Sequence, residues 1–316
     1  MSELYDIIIV GGGPAGMTAG LYLARARMKA LLLEGMMCGG QILTTDVVEN
    51  YPGFPHGIRG SELAGHMQKQ CERFGLPVRN ETVARIERAK TQGGPIGVSL
   101  EGGERLETHA VIIATGARWN QLGIPGEKEL SGKGVSYCAT CDGPLFKGKD
   151  VVVIGGGDTA LEDALFLTKF AASVTIVHRR DTLRATKILQ ERARENKKIA
   201  FSFNSIAVEI KGSARVEGVI IKDVAKGIQK ILKADGVFVL IGVTPNSGLA
   251  KGVVTLDENG YIITDDEMRT SANGIFACGD VRRKILRQVV TAAGEAATAA
   301  VSAQRYVEHL KGTEYK

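Results

Sequence analysis

Cys138 and Cys141, separated by Ala139-Thr140, offer two thiols at a spacing that closes a small disulfide loop, and such pairs often have a lowered thiol pKa. Reversible dithiol–disulfide exchange is the first chemistry they suggest. Two other readings use the same pattern: half of a zinc site, and an inert structural bond. Zinc wants four ligands. No second Cys or His pair stands at ligand spacing, because His56, His66, His109 and His309 are scattered, so no metal is expected. Cleaving a disulfide produces two thiolates, and at least one must take up a proton to leave. Asp142, next to Cys141, is the candidate acid; its other reading is a turn residue before Gly143-Pro144.

A second kind of chemistry is written twice in glycine. The buried-strand run Tyr5 to Val10 leads into Gly11-Gly12-Gly13-Pro14-Ala15-Gly16 and then a helical pattern, Met17 to Ala26. Val151 to Ile154 leads into Gly155-Gly156-Gly157-Asp158-Thr159-Ala160 and the helical Leu161 to Phe170. The strand before and the helix after are the context a dinucleotide-binding turn requires. The first glycine permits the tight turn, the second lets backbone approach a pyrophosphate, and the third position, Gly16 or Ala160, must be small. Phosphate charge then meets the N–H groups at the helix start. An offset of 144 positions carries Gly11 onto Gly155, and it carries Glu34 onto His178. Both lie where the second strand ends beside the adenosine ribose. Glu34 suits free ribose hydroxyls, as in FAD or NAD. His178, Arg179 and Arg180, with Arg184, suit the 2′-phosphate of NADPH, since guanidinium forks bind phosphate oxygens. A solvated helix start is the other reading of the arginines.

These motifs require an α/β fold. Val111 to Ala114 running into Thr115-Gly116 and Val237 to Ile241 running into Gly242 each close one half, and they mark where the chain passes between domains. The expected architecture is two Rossmann-like three-layer nucleotide-binding domains. The NADPH domain, 119–244, carries the dithiol and is inserted into a discontinuous FAD domain, 1–118 and 245–316. Trp119, the single tryptophan, reads as linker packing. A chain of 316 residues with 44% hydrophobic and 24% charged residues accommodates two such domains. The net charge of +5, without a basic stripe interleaved with aromatics, gives no support for nucleic-acid binding. The strand run starting at Tyr5 leaves no room for a leader, and Val289 to Ala303, broken by Glu295, falls short of a membrane span. Five cysteines, an odd number with one close pair, fit a reducing compartment. A cytoplasmic protein is expected.

Cys138-Ala-Thr-Cys141-Asp142-Gly143, placed ahead of the second glycine turn, resembles the dithiol segment of the low-molecular-weight thioredoxin reductases, and the resemblance runs over essentially the whole chain. In the glutathione reductase-like branch the dithiol lies in the FAD domain, where this sequence has only Cys38 before Gly39-Gly40-Gln41, and the stretch after Asp280 is too short for that branch's C-terminal dimerisation domain. The resemblance implies further FAD contacts: Gly35, Gly40, Gln41 and Asn50, Val83 beside the adenine, Thr115-Gly116, Gly279-Asp280, and Arg287-Gln288-Val289. Asp280 would accept a ribityl hydroxyl, and backbone N–H groups of the following helix would face the flavin. It further implies electron flow from NADPH through FAD to the disulfide and on to thioredoxin. One domain would rotate against the other near Gly116 to Trp119 and Gly242 to Asn246, in a homodimer. Cys278 departs from the alanine that family commonly carries before Gly-Asp; it reads as a small buried residue, with a minor redox role also open. Rival readings are a flavin dithiol oxidase, against which the NADPH segment argues, and a reductase for a peroxiredoxin or glutaredoxin-like partner. A non-enzymatic zinc-stabilised or redox-sensing protein is a third. Arg282-Arg283-Lys284 reads as a docking patch for an acidic partner or as a solvated loop.

Overall fold

The computed structural model describes residues 4–45, 47–91 and 93–314. Among these lie six α-helices: α1 (Pro14–Arg25), α2 (Gly60–Arg73), α3 (Ala139–Asp142), α4 (Asp158–Leu167), α5 (Lys187–Glu195) and α6 (Val289–Lys311). The chain forms two compact units, Met1–Arg118 with Thr244–Lys316, and Trp119–Val243.

The first unit is built on a seven-stranded sheet. Leu4–Val10 pairs in parallel with Ala30–Leu33 on one side and Arg105–Ile113 on the other. Ile275–Ala277 adds in parallel to the far half of Arg105–Ile113, while Ile96–Leu100 and Val83–Glu87 continue its near half as an antiparallel ribbon. Strands covered on both faces read as unbroken aliphatic runs, which is why Ile7 to Val10 shows no alternation. Ile7 and Ile9 pack with Leu23, Leu63 and the alanines of α6 on one face, and Ile8 and Val10 with Ile86, Val98 and Val281 on the other. Ile7, Ile8 and Ile9 are fully buried; removing each such side chain from water contributes about 1.5–3 kcal/mol. The small residues Ala292, Ala296, Ala299, Ala300 and Ala303 are the buried face of α6, and they let it lie against α1. No helix among the described residues is long and apolar enough to cross a membrane.

The second unit holds a five-stranded parallel sheet in the order Val135–Ser136, Gly236–Val239, Asp150–Ile154, Ser173–Val177, Ile199–Ser202. Leu161, Ala164 and Leu167 of α4 pack against Val151, Val153, Ile176 and Phe238 on one face. The antiparallel strands Ser205–Lys211, Gly218–Asp223 and Gln229–Lys233 supply Ile210, Val219 and Ile221 to the other. Both units are therefore three-layered α/β structures, as expected.

The helices begin earlier than the apolar periodicity suggests. α1 starts at Pro14, where proline at the first helical position needs no N–H and presets the backbone, and α4 starts at Asp158, an acidic residue favoured in a first turn. The segment 179–186 is irregular rather than a helix start: the Arg184 and Ala185 N–H groups both donate to the Gly156 carbonyl, at 2.8 and 3.2 Å, which a helical turn here would forbid.

Candidate active site

In the first unit Val10 lies level with Leu33 and Ile113, and Ile113 with Ala277. The residues expected to hold FAD hang from that carboxyl edge, where open α/β sheets bind ligands. Gly11 takes φ +107, and a Cβ there would stand 2.5 Å from the Ala114 carbonyl oxygen; only glycine fits. Gly13 is open above: a Cβ on it would meet nothing within 4 Å. The first turn of α1, entered through Pro14 and Ala15, carries no side-chain cap and no acidic residue, so its N–H groups suit an anion. Glu34 accepts from the Gly12 N–H at 2.6 Å and the Met36 N–H at 3.0 Å, which fixes the carboxylate behind the turn. Gly40 lies against Gly13 and Gly279 against Ala15, since added Cβ atoms would come within 3.3 Å of Gly13 Cα and 2.9 Å of Ala15 Cβ. Gly35 sits beside Thr82, one residue from the buried Val83.

Around the rim, the Gln41 side-chain amide donates to the Ala117 carbonyl, and Asn50 Nδ2 donates to Gln288 Oε1 at 2.9 Å. Thr115 Oγ1 donates to the Asn246 carbonyl at 2.7 Å, and Gly116 follows at φ +68. Gln288 caps α6 reciprocally with Thr291 ahead of Val289. Arg287 lies over the Tyr261 ring at 4.2 Å. The Arg287 Nε is buried without a hydrogen-bond partner, and so is Asp280 Oδ1, which stands 3.0 Å from Lys284 Nζ as an ion pair without hydrogen-bond alignment. Asp280, whose neighbour Gly279 lies against Ala15 at the uncapped start of α1, has a buried acceptor without a hydrogen bond, which fits a polar ligand with a diphosphate.

In the second unit Ile154 lies level with Val177 and Val239, and Gly155-Gly156-Gly157 turns into α4. His178 occupies the place that Glu34 holds in the first unit. Its ring is 7% exposed and fills the space a Gly156 Cβ would need, with Nε2 3.1 Å from the Thr182 carbonyl. Burial pushes its pKa down, and Arg184, Arg179 and Arg180 push the same way, so the ring is neutral at physiological pH. Arg179, Arg180 and Arg184 are exposed. Arg184 stands nearest the turn, its guanidinium 3.9 Å from where a Gly157 Cβ would lie. Asp158 turns its carboxylate to the Thr186 N–H at 2.7 Å, Thr159 is exposed beside it, and Gly242 at φ +113 accepts from the Asn120 N–H at 3.0 Å.

Cys138 and Cys141 form a disulfide, with Cys138 as N-cap of α3. Cys138 Sγ accepts from the Cys141 N–H at 3.2 Å, a contact that favours negative charge on sulfur. Asp142 accepts at Oδ2 from Ser136 Oγ at 2.5 Å. Ala139 is buried among Ala160, Leu161 and Ala164, so the dithiol segment sits on the helix that starts at the second glycine turn. Asp163 of α4 is pushed up to about 6 by burial, with the Ala139 N–H drawing it down and Glu162 raising it further. Trp119 stacks on Tyr137 at 5.6 Å. Tyr137 in turn donates to the buried Glu127, at 3.0 Å.

The other cysteines are poor candidates for thiol chemistry. Cys38, Cys71 and Cys278 are buried, and burial pushes both Cys71 and Cys278 up to about 12. Of the Arg282-Arg283-Lys284 triplet, only Arg283 is exposed. Arg282 and Lys284 turn inward onto Glu295, at 3.1 and 3.3 Å, and Glu295 also accepts from the Gly279 N–H at 2.9 Å. Sequence reasoning missed Glu295, Tyr261 and Ser136. Only Ser136, two positions before Cys138, carried a local signal.

Comparison with known proteins agrees with this geometry. Residues 5–296 match the model of the pyridine nucleotide-disulphide oxidoreductases. A thioredoxin reductase of Peptoclostridium litorale is 49% identical over 98% of this chain and 99% of its own, and one of Bacillus subtilis is 47% identical over 99% and 98%. The crystal structure of thioredoxin reductase from Streptococcus pyogenes superposes with a TM-score of 0.94 at 45% identity, covering 98% of this chain and 100% of that one. The chain belongs to the pyridine nucleotide-disulphide oxidoreductase family.

Proposed function

We propose that the protein is an NADPH-dependent thioredoxin reductase that passes electrons through FAD to the Cys138–Cys141 disulfide and on to oxidised thioredoxin. One observation carries this reading: the disulfide lies in the unit that also presents a glycine turn flanked by exposed arginines, while the unit with Glu34 carries the other turn. Relatives at 45–49% identity named thioredoxin reductase support it.

FAD belongs to the unit of Met1–Arg118 and Thr244–Lys316, and NADPH to Trp119–Val243. Glu34 orients the ribose hydroxyls, Gly12, Gly13 and the start of α1 bind the diphosphate, and Asp280 accepts a ribityl hydroxyl. Arg179, Arg180 and Arg184 select the 2′-phosphate. When bound, the two cofactors supply two-electron carriage from nicotinamide to disulfide. Two electrons added to the Cys138–Cys141 bond yield two thiolates; Asp142 protonates one and is left a carboxylate. The remaining thiolate attacks the thioredoxin disulfide, and the resulting mixed disulfide is released by the second thiol once it has lost its proton. The crossings near Gly116 to Trp119 and Gly242 to Asn246 act as hinges. The protein works as a cytoplasmic homodimer, a state that sedimentation of the pure protein checks.

Cys138→Ser is expected to abolish thioredoxin reduction while NADPH still bleaches the flavin in a stopped-flow trace. Retained turnover would show that another thiol carries the exchange. A pure protein that releases no flavin on denaturation would end the enzyme reading altogether.

A further inference from the structure

We propose that Ser136 is a positioning residue for Asp142, holding its carboxyl group beside the Cys138–Cys141 disulfide in both the protonated and the ionised form. The inference rests on Asp142 being the acid of the reaction above. Ser136 ends the edge strand Val135–Ser136 and is 4% exposed. Its Oγ stands 2.5 Å from Asp142 Oδ2, 3.1 Å from the Cys138 nitrogen and 3.3 Å from the Cys138 carbonyl oxygen.

A hydroxyl has one hydrogen and two lone pairs. The Cys138 N–H takes one lone pair, and the single hydrogen has two acceptors within reach, which it cannot serve at once. With Asp142 ionised, the hydrogen goes to Oδ2. With Asp142 protonated on Oδ2, the carboxyl donates to the free lone pair of Oγ, and the serine hydrogen swings to the Cys138 carbonyl. Each state leaves no polar group of the trio unpaired, which matters where an orphaned buried donor or acceptor costs about 1–3 kcal/mol.

The acid must alternate between these states in every cycle. Reductive cleavage of the disulfide places a pair of electrons on the two sulfurs; the proton that converts one thiolate to a thiol leaves Asp142, and the carboxyl is recharged from solvent. A carboxyl tethered in only one protonation state would swing away in the other. Serine's rotating hydrogen removes that difference, and the Cys138 N–H ties the tether to the backbone of the reacting residue itself.

The test is a double-mutant cycle on the holoenzyme, following by stopped flow the reduction of flavin by NADPH and its reoxidation by the internal disulfide. Ser136→Ala is expected to slow reoxidation by about tenfold, a fraction of what a general acid contributes, with flavin reduction and flavin content essentially unchanged. Ser136→Thr, which keeps the hydroxyl, restores most of the rate. In an Asp142→Asn background Ser136→Ala has no further effect. Additive losses in the double variant, or equal losses in both half-reactions, would overturn the proposal. An unaltered reoxidation rate in Asp142→Asn alone would overturn the acid reading as well, whereas a wild-type enzyme that moves no electrons to the disulfide would sink the reductase reading first.

Discussion

The two glycine turns are built on one plan and face opposite electrostatics. Gly11-Gly12-Gly13 and Gly155-Gly156-Gly157 both follow a parallel strand, level with its neighbours' carboxyl ends, and both open a helix without a side-chain cap. What differs is the residue behind the turn. Glu34 donates negative charge and is pinned by the Gly12 N–H; His178 is a neutral plug beneath Gly156 that leaves the charge to three exposed arginines. In the function proposed above, the backbone supplies the general affinity for a diphosphate, and the charge behind each turn, Glu34 in one and the three arginines in the other, decides which nucleotide can follow.

The largest effect expected from breaking this comparison lies at the third small position. Ala160 is fully buried and tolerated in the second turn, whereas a Cβ on Gly16 would clash with the Gly11 carbonyl oxygen. Gly16→Ala should therefore cost about 1–3 kcal/mol and release the flavin, measured by absorbance of the purified protein and by Tm; a normal yellow variant would mean the turn can widen. Next comes the charge. Arg179→Ala with Arg180→Ala should raise the KM for NADPH by about a hundredfold, the loss of two charge-assisted contacts worth about 1.5–3 kcal/mol each before compensation by Arg184. NADH kinetics should stay put, and equal effects on both nucleotides would sink the phosphate assignment.

The smallest effect distinguishes the two helices. The same offset of 144 sets Asp163 of α4 against the buried Ala19 of α1. Burial holds the Asp163 pKa at about 6, above its ordinary 3.8. The neutral form is thus the favoured one in the fold, and its stabilising contribution is complete below about pH 4 and lost as pH rises through about 6. Asp163→Asn should raise Tm by a few degrees at pH 8 and by much less at about pH 4. A gain independent of pH would show that the carboxyl is not the cause.

Much of this was legible in the sequence because it is local. An aliphatic run that ends in glycines and restarts as a helix betrays both sheet edges, and the offset that aligns the turns also finds Glu34 and His178. The close pair Cys138 and Cys141 needs no tertiary information. Long-range pairing accounts for what escaped. The irregular path of 179–186 depends on the Gly156 carbonyl, and the inward turn of Arg282 and Lys284 depends on Glu295, a residue of α6. His178 looked like a phosphate ligand beside its arginines; its burial follows from a glycine that offers no side chain to fill the space.

The stack of Trp119 on Tyr137 gives the molecule a built-in optical reporter. A chain with a single tryptophan has a single indole emitter, here placed at a chain crossing and against the residue that precedes Cys138. Its fluorescence therefore belongs to one known location, and changes in emission during turnover can be assigned without labelling the protein.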